Sequence, residues 1–303
     1  MTVSHHAETF FGKRVVEFAY GDELKKSAAV YRLGQEYEAD ESQVALLDDF
    51  LAKTTPATLE ALILGAWATA SEDDPQAFLD RLVERQPELT ELKALFIGDM
   101  TSEDCEISWI KQGDYSKLLK TFHGLETLRI RGTDGLVLPA FEHHALRELA
   151  LETGGLPTKI VRNIQNSTMP ALRHLELWLG DDGYGFDGKL GDYIELLRHI
   201  RPERLHYLGL RNAQIADELA EHIAQQPWLS SLHTLDLSMG TLGDKGAAAL
   251  IASPYLAGLK VLDLNHHYIS KPLITSLRAL PLQLRIDEAQ EEDDGDRYVE
   301  VSE

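Results

Sequence analysis

The residues of this chain best suited to chemistry are few and loosely spaced. "GYGFDG" (Gly183–Gly188) matches the G-x-G-x-x-G spacing that lets a backbone approach a pyrophosphate. Asp181 and Asp182, however, stand where that anion would lie, and Arg211 ends the next strand where an acid is usual, so a plain loop is the expected reading. Asp181, Asp182 and Asp187 together would attract a cation, but their spacing is not that of an EF-hand. Histidine pairs stand at His5–His6, His143–His144 and His266–His267. Neighbours on an extended chain point to opposite sides, so each pair readily offers one ligand, and only His266–His267 lies near an acid of interest, Asp263. Glu176 and Asp236 would sit two strands apart, roughly 9.6 Å, a separation that acids on an open face give by accident. Cys105 is flanked by Glu103, Asp104 and Glu106, which raise a thiol pKa and do not activate it. Neither G-x-S-x-G nor H-E-x-x-H appears. No catalytic residue, metal ligand or cofactor is assigned.

Composition narrows the remaining classes. The 303 residues carry a net charge of −21, with nine acids against Arg297 between Asp287 and Glu303, so the last seventeen residues hold −8 and the rest −13. Such a balance repels polyphosphate and removes the counterion release that drives nucleic-acid binding, so no nucleic-acid partner is expected. A single cysteine leaves no intrachain disulfide and fits a reducing compartment. The opening "MTVSHHAETFFGKRVVEF" lacks the apolar run of a signal peptide, and no stretch reaches the ~18 apolar residues of a membrane helix. A cytoplasmic protein with no membrane partner is the expectation.

The elements that position these residues come from a repeat. L-x-x-L-x-L, or a near variant, recurs as "LEALIL" at 59, "LKALFI" at 92, "LETLRI" at 125, "LRELAL" at 146, "LRHLEL" at 172, "LHYLGL" at 205, "LHTLDL" at 232 and "LKVLDL" at 259. A weaker copy ends in "LRI" at 284. Between the copies, "DDPQAFLDRLVERQP", "DYSKLLKTFHG", "LGDYIELLRHI" and "IADELAEHIAQQP" carry apolar residues at helical spacing. The 21-residue copy, "RGTDGLVLPAFEHHA", leaves room only for a short turn. Strand followed by outer helix, repeated in one direction, gives an α/β solenoid: a right-handed horseshoe with a parallel inner sheet and outer helices. Residues 1–54, with strands in "KRVVEFAY" and "AAVYRL" and a helix in "ESQVALLDDFLAK", read as an N-terminal cap. Residues 55–286 form the repeat domain and 287–303 an acidic tail, solvated except that "RYVEVSE" alternates well enough to dock as a short strand.

"LHTLDLSMGTLGDKGAAAL" resembles a ribonuclease-inhibitor-type leucine-rich repeat: strand, then Leu242, Asp244 and Gly246 opening the helix that Leu250 packs. Through "LFIGDMTSEDCEISWIKQGD", "LETGGLP", "HLELWLG", "YLGLRN" and "RYVEVSE" the chain is similar over nearly its whole length to an uncharacterised bacterial leucine-rich-repeat family. The resemblance implies the fold and a bacterial origin.

Strand alternation turns the leucines toward the helices and the residues between them toward the concave side. That side receives Arg129, Arg131, Glu148, Glu152, His174, Glu176, Trp178, Tyr207, Arg211, Asp236 and Asp263. Aromatic residues and arginine gathered on one surface are the stuff of binding hot spots. The competing expectation is a self-satisfied ladder, with Trp178 stacked on Arg211 and Arg131 paired with Glu152. In the first repeats Ile63 and Phe96 make the same face apolar, and "TSEDCEISWIKQGD", through Ile107, Trp109 and Ile110, is expected to cover them. The expected function is a non-enzymatic scaffold that binds a protein or peptide on the concave face. The alternative is an enzyme or a small-ligand or metal-binding protein using its acids and histidines.

Overall fold

The computed structural model describes residues 3–25, 29–37 and 39–303. It comprises two compact units. The first runs to Glu152 and includes residues 167–171; the second holds residues 153–166 and 172–302.

In the first unit a two-residue strand, β1 (Thr9–Phe10), runs antiparallel to β2 (Lys13–Phe18). Every later pairing is parallel: β2 with β3 (Val30–Leu33), then β4 (Ala61–Leu64), β5 (Ala94–Ile97), β6 (Thr127–Arg131) and β7 (Glu148–Glu152). The register sets Leu62, Leu95, Leu128 and Leu149 side by side, and all four are fully buried. Helices α1 (Gln43–Lys53), α2 (Gln76–Arg85) and α3 (Ser116–Thr121) occupy the other layer. Ser42 caps α1 by accepting the Ala45 N–H, satisfying one of the donors a helix start leaves free. Phe78, Leu79 and Leu82 are the buried face of α2. The short repeat between β6 and β7 has no helix. Its extended chain makes single parallel bridges at Asp134, Val137 and Glu142, and buried His143 accepts the Leu146 N–H.

The second unit repeats the design: α4 (Thr158–Gln165), β8 (His174–Gly180), α5 (Leu190–Ile200), β9 (Tyr207–Ala213), α6 (Ala216–Ala224), β10 (Thr234–Asp236), α7 (Asp244–Ala252), β11 (Val261–Asp263), α8 (Lys271–Arg278) and β12 (Gln283–Arg285). Strands β8 to β12 are parallel in sequence order, with Leu175, Leu208, Leu235, Leu262 and Leu284 in line. Gly180 needs to be glycine: its φ is +78°, and a Cβ would lie 1.8 Å from the Gly154 carbonyl oxygen. Beyond β12 the tail does not leave the unit. Val299 and Val301 are buried against it. No helix among the described residues is long and apolar enough to cross a membrane.

One expected packing is corrected. The apolar strand positions Ile63 and Phe96 are covered by the N-terminal arm, with Phe10 in their cluster and Ala7, Phe11 and Val15 packed against it. The Phe10 and Phe96 rings lie 6.0 Å apart. The 101–114 connection instead buries Ile107 and Ile110 and leaves Trp109 mostly exposed. Ile110 sits where a side chain on Gly132 would have to go, which places this connection on the turn after β6 and away from the strand face.

Candidate functional site

The strand face opposite the helices holds a set of charges in each unit. In the first unit, register places Arg32, Ile63, Phe96 and Arg129 in one row. Phe96 is roofed by two guanidiniums, Arg129 at 5.6 Å and Arg131 at 5.2 Å from the ring centre. Arg131 donates to Glu152 at 2.7 Å, and Arg129 donates to Glu152 at 2.9 Å and to Glu148 at 3.2 Å. Behind them Asp99, wholly buried, is met by Arg32 at 2.5 Å and Arg131 at 3.3 Å. Both its oxygens also accept the Ala7 N–H at 3.2 Å, so the arm that covers the apolar row is fastened to the charges beside it. Arg131 and Glu152 are buried; Arg129 and Glu148 keep about a quarter of their side-chain surface in solvent, 25% and 28%.

In the second unit the centre is Arg211. Its guanidinium donates to Glu176 at 2.8 Å and to Ser238 at 3.0 Å, lies 3.4 Å from Asp236, and covers the Trp178 ring at 5.1 Å. Trp178 Nε1 donates to the same Glu176 oxygen at 2.8 Å. The tryptophan is on the strand face, yet only 7% exposed. Four residues earlier on the same two strands, the His174 and Tyr207 rings stack at 4.0 Å and 2°, and the Tyr207 hydroxyl donates to Asp236 at 2.8 Å. His174 is itself 3.4 Å from Glu176. Asp263 accepts from Arg285 at 3.1 Å and from the Asn265 N–H at 3.2 Å.

Burial and the neighbouring charges set the protonation. Burial pushes the Tyr207 hydroxyl far up, and Glu176 and Asp236 push it further, so it is a donor and not a base. Burial works against the Arg211 cation, but Asp236 and Glu176 outweigh it and hold the guanidinium charged. The Asp263 carboxyl is raised by burial and then by facing Asp236. Chemically the face offers oriented donors, aromatic surface and matched charges.

The motifs set aside have structural occupations. Asp181 accepts the Gly183 N–H in a tight turn, and Asp187 accepts both the Thr158 N–H, at 2.6 Å, and its hydroxyl at the start of α4. Among the described residues no three of His, Cys, Asp and Glu converge as a metal set. His6 pairs with Asp104 at 2.8 Å, His144 with Glu142 at 2.6 Å, and His267 accepts the Ile269 N–H. Burial, then Glu106 and Asp104, push the Cys105 thiol up to about 11.

Sequence reasoning did not single out Asp99, Arg32, Asn212 or Arg285. Arg32 was visible as the polar residue alternating with Tyr31 and Leu33, whereas Asp99 follows Gly98, where the strand has ended and alternation no longer tells which side a residue takes.

A crystal structure of a protein from Bacteroides fragilis matches with a TM-score of 0.77 and 29% identity, over 84% of this chain and 72% of that one. An internalin from Listeria monocytogenes aligns over 88% of this chain and 75% of its own, at 14% identity and a TM-score of 0.31. No protein-family model and no curated protein matches the sequence.

Proposed function

We propose that this chain, a leucine-rich-repeat protein, is a non-enzymatic scaffold that binds a protein or peptide on the strand face opposite its helices. The observation carrying the reading is the His174–Tyr207 stack, partly open to solvent through His174, whose side chain is 26% exposed, and fixed from beneath: Tyr207 is tied to Asp236, and Arg211 clamps Asp236 to Glu176 over Trp178. Rigid aromatic surface whose rotamers are already locked loses little entropy on binding, which favours it as an anchor for a partner. In this reading His174 and Tyr207 are the partner contacts of the second unit and Arg129 and Glu148 those of the first, while Glu176, Trp178, Arg211 and Asp236 hold His174 and Tyr207 in place. Arg131 and Glu152 do the same for Arg129. Asp263 orients Arg285 at the rim. The matched charges favour a mixed-charge partner surface and disfavour a polyanion.

The test is a paired affinity capture with the native chain and a His174→Glu, Tyr207→Ala variant of unchanged circular dichroism. A protein retained by the first and at least tenfold depleted from the second supports the reading. Identical captures would sink it.

A further inference from the structure

The residues that end the tail lie across the turns following β9, β10 and β11, and they are gripped in a way that reads as recognition. We propose that these turns form a binding site for an extended peptide with a basic residue followed, two and four positions later, by branched apolar residues. Arg297–Val301 is its intramolecular occupant. The site is distinct from the strand face and stands independently of the function proposed for it.

Three turns contribute. Asn212 reads the Val301 backbone with both ends of its amide: Oδ1 accepts the N–H at 3.0 Å and Nδ2 donates to the carbonyl. The Met239 carbonyl accepts the Glu300 N–H at 2.8 Å. The Tyr298 carbonyl accepts from His266 Nε2 at 3.1 Å and from the Tyr268 hydroxyl at 3.0 Å, and that hydroxyl accepts the Tyr298 N–H at 2.8 Å. Main-chain groups of Tyr298, Glu300 and Val301 are thus each held, by groups on three successive turns. Side chains follow the two-residue period: Val299 and Val301 are buried, whereas Tyr298 is 55% exposed. Arg297 is read separately, 3.2 Å from Asp217, 3.3 Å from the Thr241 carbonyl and 5.6 Å over the Tyr268 ring.

The turns themselves are built for the task. The position that register aligns with Gly132 has positive φ in five repeats: Gly132, Asn212, Met239, His266 and Glu288, at 92°, 53°, 69°, 56° and 62°. Glycine takes that conformation without strain, as at Gly132. The three repeats beneath the tail carry side chains there instead, and Asn212 and His266 use them on the tail. The connection to the occupant is held at its start, where Asp287 and Gln290 bond Asn265 and His267 at 2.8 Å, but all its residues from Asp287 to Asp296 except Gln290 are exposed, and seven of the ten are acids that repel one another.

A tether of this length gives millimolar effective concentration. A free peptide with a Kd on the order of 0.1 mM is then outcompeted about tenfold by the attached copy. The test is fluorescence anisotropy of labelled RYVEVSE against the full chain, a chain ending at Asp296, and the full chain carrying Val299→Asp and Val301→Asp. The two opened proteins are expected to bind the peptide and the full chain to bind it about tenfold more weakly. Asn212→Leu in an opened protein should cost about tenfold, the worth of two hydrogen bonds. The proposal is overturned if the opened proteins melt cooperatively but bind no better than the full chain. It is equally overturned if both lose cooperative melting, because the tail is then part of the fold and no ligand.

Discussion

Asp99→Asn is the most informative single change. It keeps the shape of the side chain and an acceptor for the Ala7 N–H, but removes a charge that is fully buried between Arg32 and Arg131. Those guanidiniums keep only 9% and 7% of their side-chain surface in solvent, so water cannot replace the lost partner. Breaking a buried ion pair by removing one member costs ~3–5 kcal/mol. The lower end applies, about 3 kcal/mol, because Glu152 and Glu17 still face the two arginines. For a unit of this size that is a fall in Tm of roughly 6–12 °C. The assay is thermal unfolding by circular dichroism beside Asp134→Asn, whose exposed partner Lys111 lies 4.0 Å away and whose loss should stay below about 0.5 kcal/mol. Limited proteolysis should cut within residues 5–12 of the Asp99 variant sooner than in the native chain, since the latch on Ala7 is weakened. A Tm fall below about 2 °C with an unchanged cleavage pattern would refute the reasoning, because the cluster would then be solvated.

Gly180→Ala sets a Cβ against the Gly154 carbonyl at positive φ and should abolish cooperative melting of the second unit, while Gly124→Ala, in open space, should leave the Tm unmoved. Glu300→Gln should strengthen tail docking at neutral pH. The Glu300 carboxyl is raised from 4.5, chiefly by burial, so docking is fullest below that value and weakens as pH rises through the folded pKa. Hydrogen exchange of the Glu300 and Val301 amides should therefore slow, after correction for intrinsic rates, on going from pH 7.5 to pH 5 in the native chain, and lose that pH dependence in the variant. Cys105, with a pKa of about 11 against 9.0, should alkylate about a hundredfold more slowly than a free thiol at pH 8, with a rate still climbing at pH 10; a plateau near pH 9 would contradict the burial.

The parallel order and the leucine register were legible because a solenoid writes its core locally: each L-x-x-L-x-L packs on the next copy along the chain. The same alternation identified the strand face, and the ladder expected there, Arg131 with Glu152 and Arg211 over Trp178, is present. Contacts between distant segments were not legible. Phe10 sits in a strand of two residues, too short for a periodic signal, so nothing marked it as the cover of Phe96. The alternation in "RYVEVSE" was readable, but the groups that receive it, Asn212 and His266, lie on turns where no period applies.

The arm has a consequence in time. Its apolar residues, Phe10 and Phe11, are synthesised well before the surface they cover, which is completed only with Phe96 and Asp99, some 86 to 89 positions after Phe10. At about 5–20 residues per second a growing chain carries this phenylalanine pair uncovered for roughly 4–18 s. Nascent-chain pulldowns should accordingly find chaperone occupancy rising as the arm emerges and collapsing once β5 has followed it.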